Sequence, residues 1–277
     1  MAASVRITIL VDNQAGEGLA AEHGFALWIE TGGKNILFDT GEGPALLHNA
    51  PQLGVDLATA DCLVLSHGHH DHTGGVAALL EKTGPLDVYF HPGLTDERYA
   101  IRSGKAISIK MPPASAAALA NLPEARKHPV PAPAEIFEGV GLTGPIPRRT
   151  AYEDTGGPFF LDPAAGRADP IEDELALWIR TSGGLVVCLG CGHAGLVNTL
   201  NHVRRLNGEE KIRAAIGGFH LVESEERRFD LTGAALTGLA PELVIPCHCT
   251  GDRAVEALKS RLGKRVITGR SGNSFEF

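Results

Sequence analysis

The stretch Ser66-His67-Gly68-His69-His70-Asp71-His72-Thr73-Gly74-Gly75 decides the reading of this chain. Four histidines and an aspartate lie within six positions, directly after the apolar run Cys62-Leu63-Val64-Leu65. Such a run, closed by a glycine-containing loop, predicts a buried strand. The loop then sits at the strand's C-terminal end, where open α/β sheets place their chemistry. His67 and His69 are two apart and point the same way in extended backbone. Asp71 and His72 would diverge there, but a helix starting near Asp71 and running through Val76-Ala77-Ala78-Leu79-Leu80 carries them to a second point. Two ligand pairs aimed at neighbouring points predict a binuclear metal site. A solvated polar loop explains the pattern less well, because neutral imidazoles at this density have little use without a metal.

The rest of the chain sets bounds. Its 277 residues, 43% hydrophobic and 21% charged, are enough for one large α/β domain or two small ones. The net charge of −8 argues against nucleic-acid binding but leaves room for a local basic pocket. Met1-Ala2-Ala3-Ser4-Val5-Arg6 lacks a charged-then-apolar leader pattern, and no apolar run approaches a membrane span of about 18 residues. Five cysteines without scaffold spacing predict a reducing, cytoplasmic setting with thiols free or metal-bound.

Two halves share one rhythm. In the first, Val5–Val11 reads as a strand, and Phe25–Glu30 and Asn35–Phe38 form a hairpin across Gly32-Gly33-Lys34. Asp39-Thr40-Gly41 follows, with a short helix from Pro44 to Asn49, then the histidine strand, then Leu86–Phe90 ending in His91-Pro92. In the second, Leu175–Arg180 and Leu185–Leu189 form a hairpin, followed by a helix at 196–206, strands at 212–216 and 243–246, and a helix near 252–262. Val266–Thr268 reads as a last short strand. Residues 112–170, rich in proline, alanine and glycine, read as a poorly patterned insertion that covers the cleft of a single domain spanning 1–277.

Three further histidine loops follow strands: Cys191-Gly192-His193, Phe219-His220 and Cys247-His248-Cys249. Cys191 and His193 can face one point if the loop is extended. The same alternation makes Cys247 and Cys249 face away from His248, so His248 is the expected ligand and the two cysteines packing. His220 is expected to contact substrate or support the ligands, and His91 to form a wall of the cleft. Arg148, Arg149 and Arg270 lie in loops and are candidates for an anionic substrate, since a guanidinium meets two oxygens of a phosphate or carboxylate.

The His-x-His-x-Asp-His pattern resembles that of the metallo-β-lactamase-fold hydrolases, which implies a four-layer αββα sandwich. Gly-Cys-Gly-His-Ala-Gly from Gly190, Gly-Gly-Phe-His-Leu from Gly217 and Pro-Cys-His-Cys-Thr-Gly from Pro246 resemble a narrower group. That group is the dihydropterin–ribofuranosylaminobenzene phosphate synthase-like subfamily of methanopterin biosynthesis. The superfamily implies that Asp39 holds the metal loop by hydrogen bonds, although a strand-ending turn would also account for Asp-Thr-Gly. Most members carry Gly-Asp where this chain has Gly190-Cys191, and no histidine lies between His128 and His193. His193 then supplies the missing ligand. A thiolate at Cys191 is softer than a carboxylate and favours zinc, whereas a buried non-ligating Cys191 would leave the second metal weakly held.

The expected ligands are therefore His67, His69, Asp71, His72, Cys191, His193 and His248, with Asp71 and His220 in catalytic roles. The expected cofactor is two zinc ions, with iron or manganese as alternatives. Zinc lowers the pKa of a bound water to roughly 7, so the expected activity uses a zinc-activated hydroxide. The enzyme would be a hydrolase or phosphate-releasing transferase for a small anionic molecule, a pterin-like one among the candidates. Helix N-termini after Gly195 and Gly251 are expected to offer N–H groups to that anion. A di-iron redox protein and a non-catalytic metal-stabilised binding module are the competing readings, separated by metal content and by activity of the zinc form.

Overall fold

The computed structural model describes residues 4–277; residues 1–3, part of the stretch read for a leader, lie outside the described residues. Strand alternation explains the architecture. Along Ala26–Thr31, Leu27 and Ile29 join one buried cluster while Ala26 and Trp28 join another. Along Gly184–Leu189, Val186 and Cys188 face inward with them, and Leu185, Val187 and Leu189 face a third cluster. A sheet that buries both faces needs a layer on each side. The shared cluster joins the two sheets, and helices cover their outer faces, giving a metallo-β-lactamase-type αββα sandwich.

The first sheet runs in the spatial order Ser274–Glu276, Val5–Val11, Ala26–Thr31, Lys34–Phe38, Cys62–Val64, Asp87–Phe90 and Lys127–Pro129. Its first four strands are antiparallel to their neighbours, and its last three add in parallel. The second sheet runs Leu243–Cys247, Ile212–Gly218, Gly184–Leu189, Leu177–Thr181, Val140–Leu142 and Ala134–Phe137. It too couples parallel strands to an antiparallel meander. Helices Ala45–Gln52, Val76–Thr83 and Pro113–Ala120 cover the first sheet. Helices Leu196–Leu206, Glu226–Leu239 and Asp252–Leu262 cover the second. A small third sheet pairs Phe159–Phe160 with the hairpin Tyr99–Arg102 and Lys105–Ser108.

The structure departs from the sequence reading in three places. Residues 112–170 are not an addition to the fold: they supply an edge strand to the first sheet and two strands to the second. Those strands are three or four residues long and lie at or next to sheet edges, too short to show a period. Only the part around Thr155 to Phe159 lies over the cleft. Val266–Thr268 makes one isolated bridge to Val244, and the closing strand is Ser274–Glu276 beside Val5–Val11. The helix expected from Asp71 is two pieces, His70–Thr73 and Val76–Thr83. Gly74 and Gly75 separate them because a Cβ at either would strike the 40–42 backbone at 2.0–2.6 Å. All five cysteines are free, and no helix of the described residues is long and apolar enough to cross a membrane.

Candidate metal centre

The C-terminal ends of the central strands of both sheets meet at one edge, and the histidine loops converge there. His67, His69 and His193 form a triangle with ring centroids 4.5–5.0 Å apart. The Nε2 atoms of all three are buried and have no hydrogen-bond partner. Buried polar groups are nearly always paired, so three orphaned lone pairs aimed at one space fit a cation. Beside them, one donor atom each from Asp71, His72, Cys191 and His248 lies within 4.8 Å of the others. His67, Cys191 and His193 form a second such group, placing the Cys191 sulfur between the two ligand sets.

The protonation pattern agrees. His72 Nδ1 donates to Asp39 Oδ2 at 2.7 Å, His193 Nδ1 to the Thr155 carbonyl at 2.8 Å, and His248 Nδ1 to Asn13 Oδ1 at 2.7 Å. Ser66 Oγ donates to Asp39 Oδ2 at 2.6 Å and so accepts from His67 Nδ1 at 2.9 Å. In His67 and His193 the proton thus sits on Nδ1 and the Nε2 lone pair is free, the arrangement that outer hydrogen-bond partners impose on metal-binding histidines. Burial holds His67, His69 and His193 well below their ordinary pKa, keeping them neutral and able to ligate. Burial alone would raise Asp71, but the charge of His72 and hydrogen bonds from His23 and His248 outweigh it and hold the carboxyl well below its usual range. The residues thus fit metal binding.

Residues 20–201 match the family model described as the metallo-beta-lactamase superfamily. The chain belongs to the metallo-beta-lactamase superfamily. A superfamily relative from Methanocaldococcus jannaschii, 7,8-dihydropterin-6-methyl-4-(beta-D-ribofuranosyl)-aminobenzene-5'-phosphate synthase, is 28% identical over 263 residues, spanning 91% of this chain and 89% of the relative. A solved metal-dependent hydrolase of the beta-lactamase superfamily is similar at a TM-score of 0.83 and 30% identity, covering 99% of each chain. The Zn(2+)-bound PqqB structure from Methylobacterium extorquens, at 13% identity and a TM-score of 0.58 over 98% of this chain and 99% of that one, shares the fold.

Within this superfamily site, several residues stand where sequence reasoning did not put them. Cys249 does not face away. His248–Thr250 is a 3-10 turn entered through a left-handed His248 (φ 47°), so strand alternation ends at Cys247. Cys247 stays in the core, while the Cys249 sulfur lies 3.3 Å from that of Cys191. The expected anion-binding arginines also lie elsewhere. Arg148 donates to the carbonyls of His193 and Pro170 and so braces the His193 loop. Arg149 and Arg270 are exposed and do not line the cleft, whereas Arg102 does. The N-terminus of helix Leu196–Leu206 is already occupied, because Glu153 accepts from the Val197 and Asn198 amides at 2.8 Å. His70 turns toward Glu42 at 3.3 Å, and the Nδ1 of His91 accepts from Gly93.

Four supporting groups carry little sequence signal. His23 Nε2 lies 3.2 Å from Asp71 Oδ2 at the cleft mouth. The only hint is a histidine before Gly24, where a Cβ would lie 2.6 Å from the Asp71 carbonyl. Asp12 accepts from the His248 amide at 2.7 Å. Asp173 accepts from Gly68 at 2.8 Å, and Glu174 from the His193 and Ala194 amides. These two adjacent carboxylates tie the histidine loops of both halves to one strand start, and only the acidic triplet Glu172-Asp173-Glu174 hints at them.

Proposed function

We propose that this cleft is the active site of a metal-dependent enzyme that hydrolyses, or transfers with release of phosphate, a small anionic substrate. The observation that carries this reading is the convergence of orphaned Nε2 atoms from His67, His69 and His193 beside the Asp71, His72 and His248 set. Zinc, the ion favoured by a ligand set containing Cys191, supplies a nucleophile from water at neutral pH and Lewis acidity toward a phosphoryl or carbonyl oxygen. His67, His69 and His193 would hold one ion and Asp71, His72 and His248 the other, with the Cys191 sulfur within reach of both sets.

The remaining residues suit this chemistry. His23, half-exposed and hydrogen-bonded to Asp71, is placed to carry a proton between the carboxylate and solvent. Phe159 lies 5.3–5.7 Å from the rings of His69, His193 and His220 and walls the centre from water. Arg102 stands at the mouth for an anionic group. The inner cavity, about 170 Å³, is smaller than an ordinary ligand pocket of about 300–1,000 Å³. It shares Gly156 and Glu223 with a neighbouring cavity of about 860 Å³ that Arg227 lines, so the bulk of a substrate would extend there. A pterin-ribose phosphate, the chemistry in the name of the methanogen relative, would bring the anionic group that Arg102 and Arg227 are placed to meet.

The test is a screen of the zinc-loaded protein against phosphomonoesters, phosphodiesters, lactones and thioesters. The expected result is phosphoester turnover that Asp71→Ala abolishes. Turnover of lactones or thioesters alone would contradict the phosphate assignment.

A further inference from the structure

Beyond the two histidine-rich sets, the cleft holds a third group with different chemistry. The sulfurs of Cys191 and Cys249 and a ring nitrogen of His220 all lie within 4.8 Å of one another. Neither sulfur has a histidine-rich set to itself: Cys191 is shared, and Cys249 belongs only here. The three side chains line the inner cavity together. His220 Nδ1 is buried without a partner.

Backbone packing makes room for this group. A Cβ on Gly218 would lie 2.6 Å from the Cys249 sulfur, and one on Gly156 would lie 2.0 Å from the His220 ring. The sulfurs, 3.3 Å apart, are not bonded. A tetrahedral ion about 2.3 Å from each sulfur needs them roughly 3.7–3.8 Å apart, so loading would widen the pair by about half an ångström. Cys249 sits on a short 3-10 turn and His220 on a left-handed residue (φ 44°), both at loop ends where such an adjustment is local.

We propose that Cys191, Cys249 and His220 form a third ligand set, which takes a thiophilic divalent cation of the zinc and cadmium class. Two thiolates and an imidazole are a soft donor set that discriminates against magnesium and manganese. Binding releases one proton from each thiol, and the fourth position faces the cavity. The inference rests on the reading of the cleft as a metal centre and adds Cys249 and His220 to its ligands.

The probe is cadmium alone, titrated into metal-stripped protein under a phosphine reductant. The readouts are the ultraviolet thiolate-to-cadmium band and the cadmium bound per chain. The parent should show a band of two-thiolate strength, and Cys249→Ala should lose about half of it while still filling the histidine sets. Cys247→Ala, one turn away in the core, should keep the full band. X-ray absorption on the cadmium-loaded parent, which needs no variant, should count sulfur from two cysteines. A parent without the band, a full band in Cys249→Ala, an equal loss in Cys247→Ala, or sulfur from one cysteine only would each overturn the proposal. Absence of hydrolysis by the zinc form would instead count against the proposed activity and leave these sulfur readouts unchanged.

Discussion

Asp39 governs the tautomers of two candidate ligand histidines at once. Its Oδ2 receives the His72 Nδ1 proton and the Ser66 hydroxyl, and Ser66 in turn fixes His67. The residue is held at φ 61°, a left-handed conformation that costs a non-glycine side chain on the order of 1 kcal/mol. Loss of such a partner lowers metal affinity about 10–100-fold. Asp39→Ala should show that loss in competition with a chromophoric chelator, while Asp39→Asn should show less; equal affinity in parent and alanine variant would refute the orienting role. At the mouth, Arg102→Ala should weaken binding of an anionic substrate by about 1.5 kcal/mol, the low end for hydrogen bonds to charged groups because the side chain is exposed. Its zinc content should not change, and undiminished affinity would move the anion elsewhere. The metal-loop residues were legible because their spacing is itself the geometry. Cys249 was not, because a single left-handed residue at His248 reverses the side that alternation assigns. The arginines were misplaced because loop membership says nothing about which loop faces the cleft.

Among elements, the segment 173–176 leading into strand Leu177–Thr181 matters most, since Asp173 and Glu174 hold a histidine loop from each half. Arg98 is buried between Asp169 and Asp173, at 2.6 and 2.8 Å. Removing one partner of such a buried group leaves uncompensated charge and costs about 3–5 kcal/mol. Arg98→Met should lower urea-measured stability by about that amount, and a change under about 1 kcal/mol would contradict the account. Burial pushes the Asp173 carboxyl up from 3.8 to about 7 despite Arg98. The folded chain thus keeps a proton that the unfolded chain releases near 3.8, and this group's contribution falls as pH rises toward 7. Asp173→Asn should therefore gain on the parent as pH is raised from about 4 to 7 in metal-free buffer, and a pH-independent difference would rule that out. The long strands and outer helices were readable from period and length. The strands at Ala134–Phe137 and Val140–Leu142 were not, because they are short and form a hairpin that joins the sheet only through Leu177–Ile179, distant in sequence.

Taken as a molecule, two sheets bring seven candidate ligands from three loops to one edge, so metal binding and folding are coupled. A ligand that binds only the folded state adds about 2.7 kcal/mol at a hundredfold excess over its Kd. Chelation should accordingly lower the melting temperature, and added zinc should restore it in proportion to the logarithm of its free concentration. The αββα layering could be read from two repeats of hairpin, parallel strand and histidine loop, whereas the face-to-face join that places His193 against His67 is a long-range contact with no local trace. The most direct test of the central claim is zinc bound per chain in the parent, His69→Ala, His248→Ala and the double variant. The account predicts that each single variant loses one equivalent relative to the parent and the double variant two, with phosphoester turnover lost in all three. Full parental zinc in both single variants would contradict it.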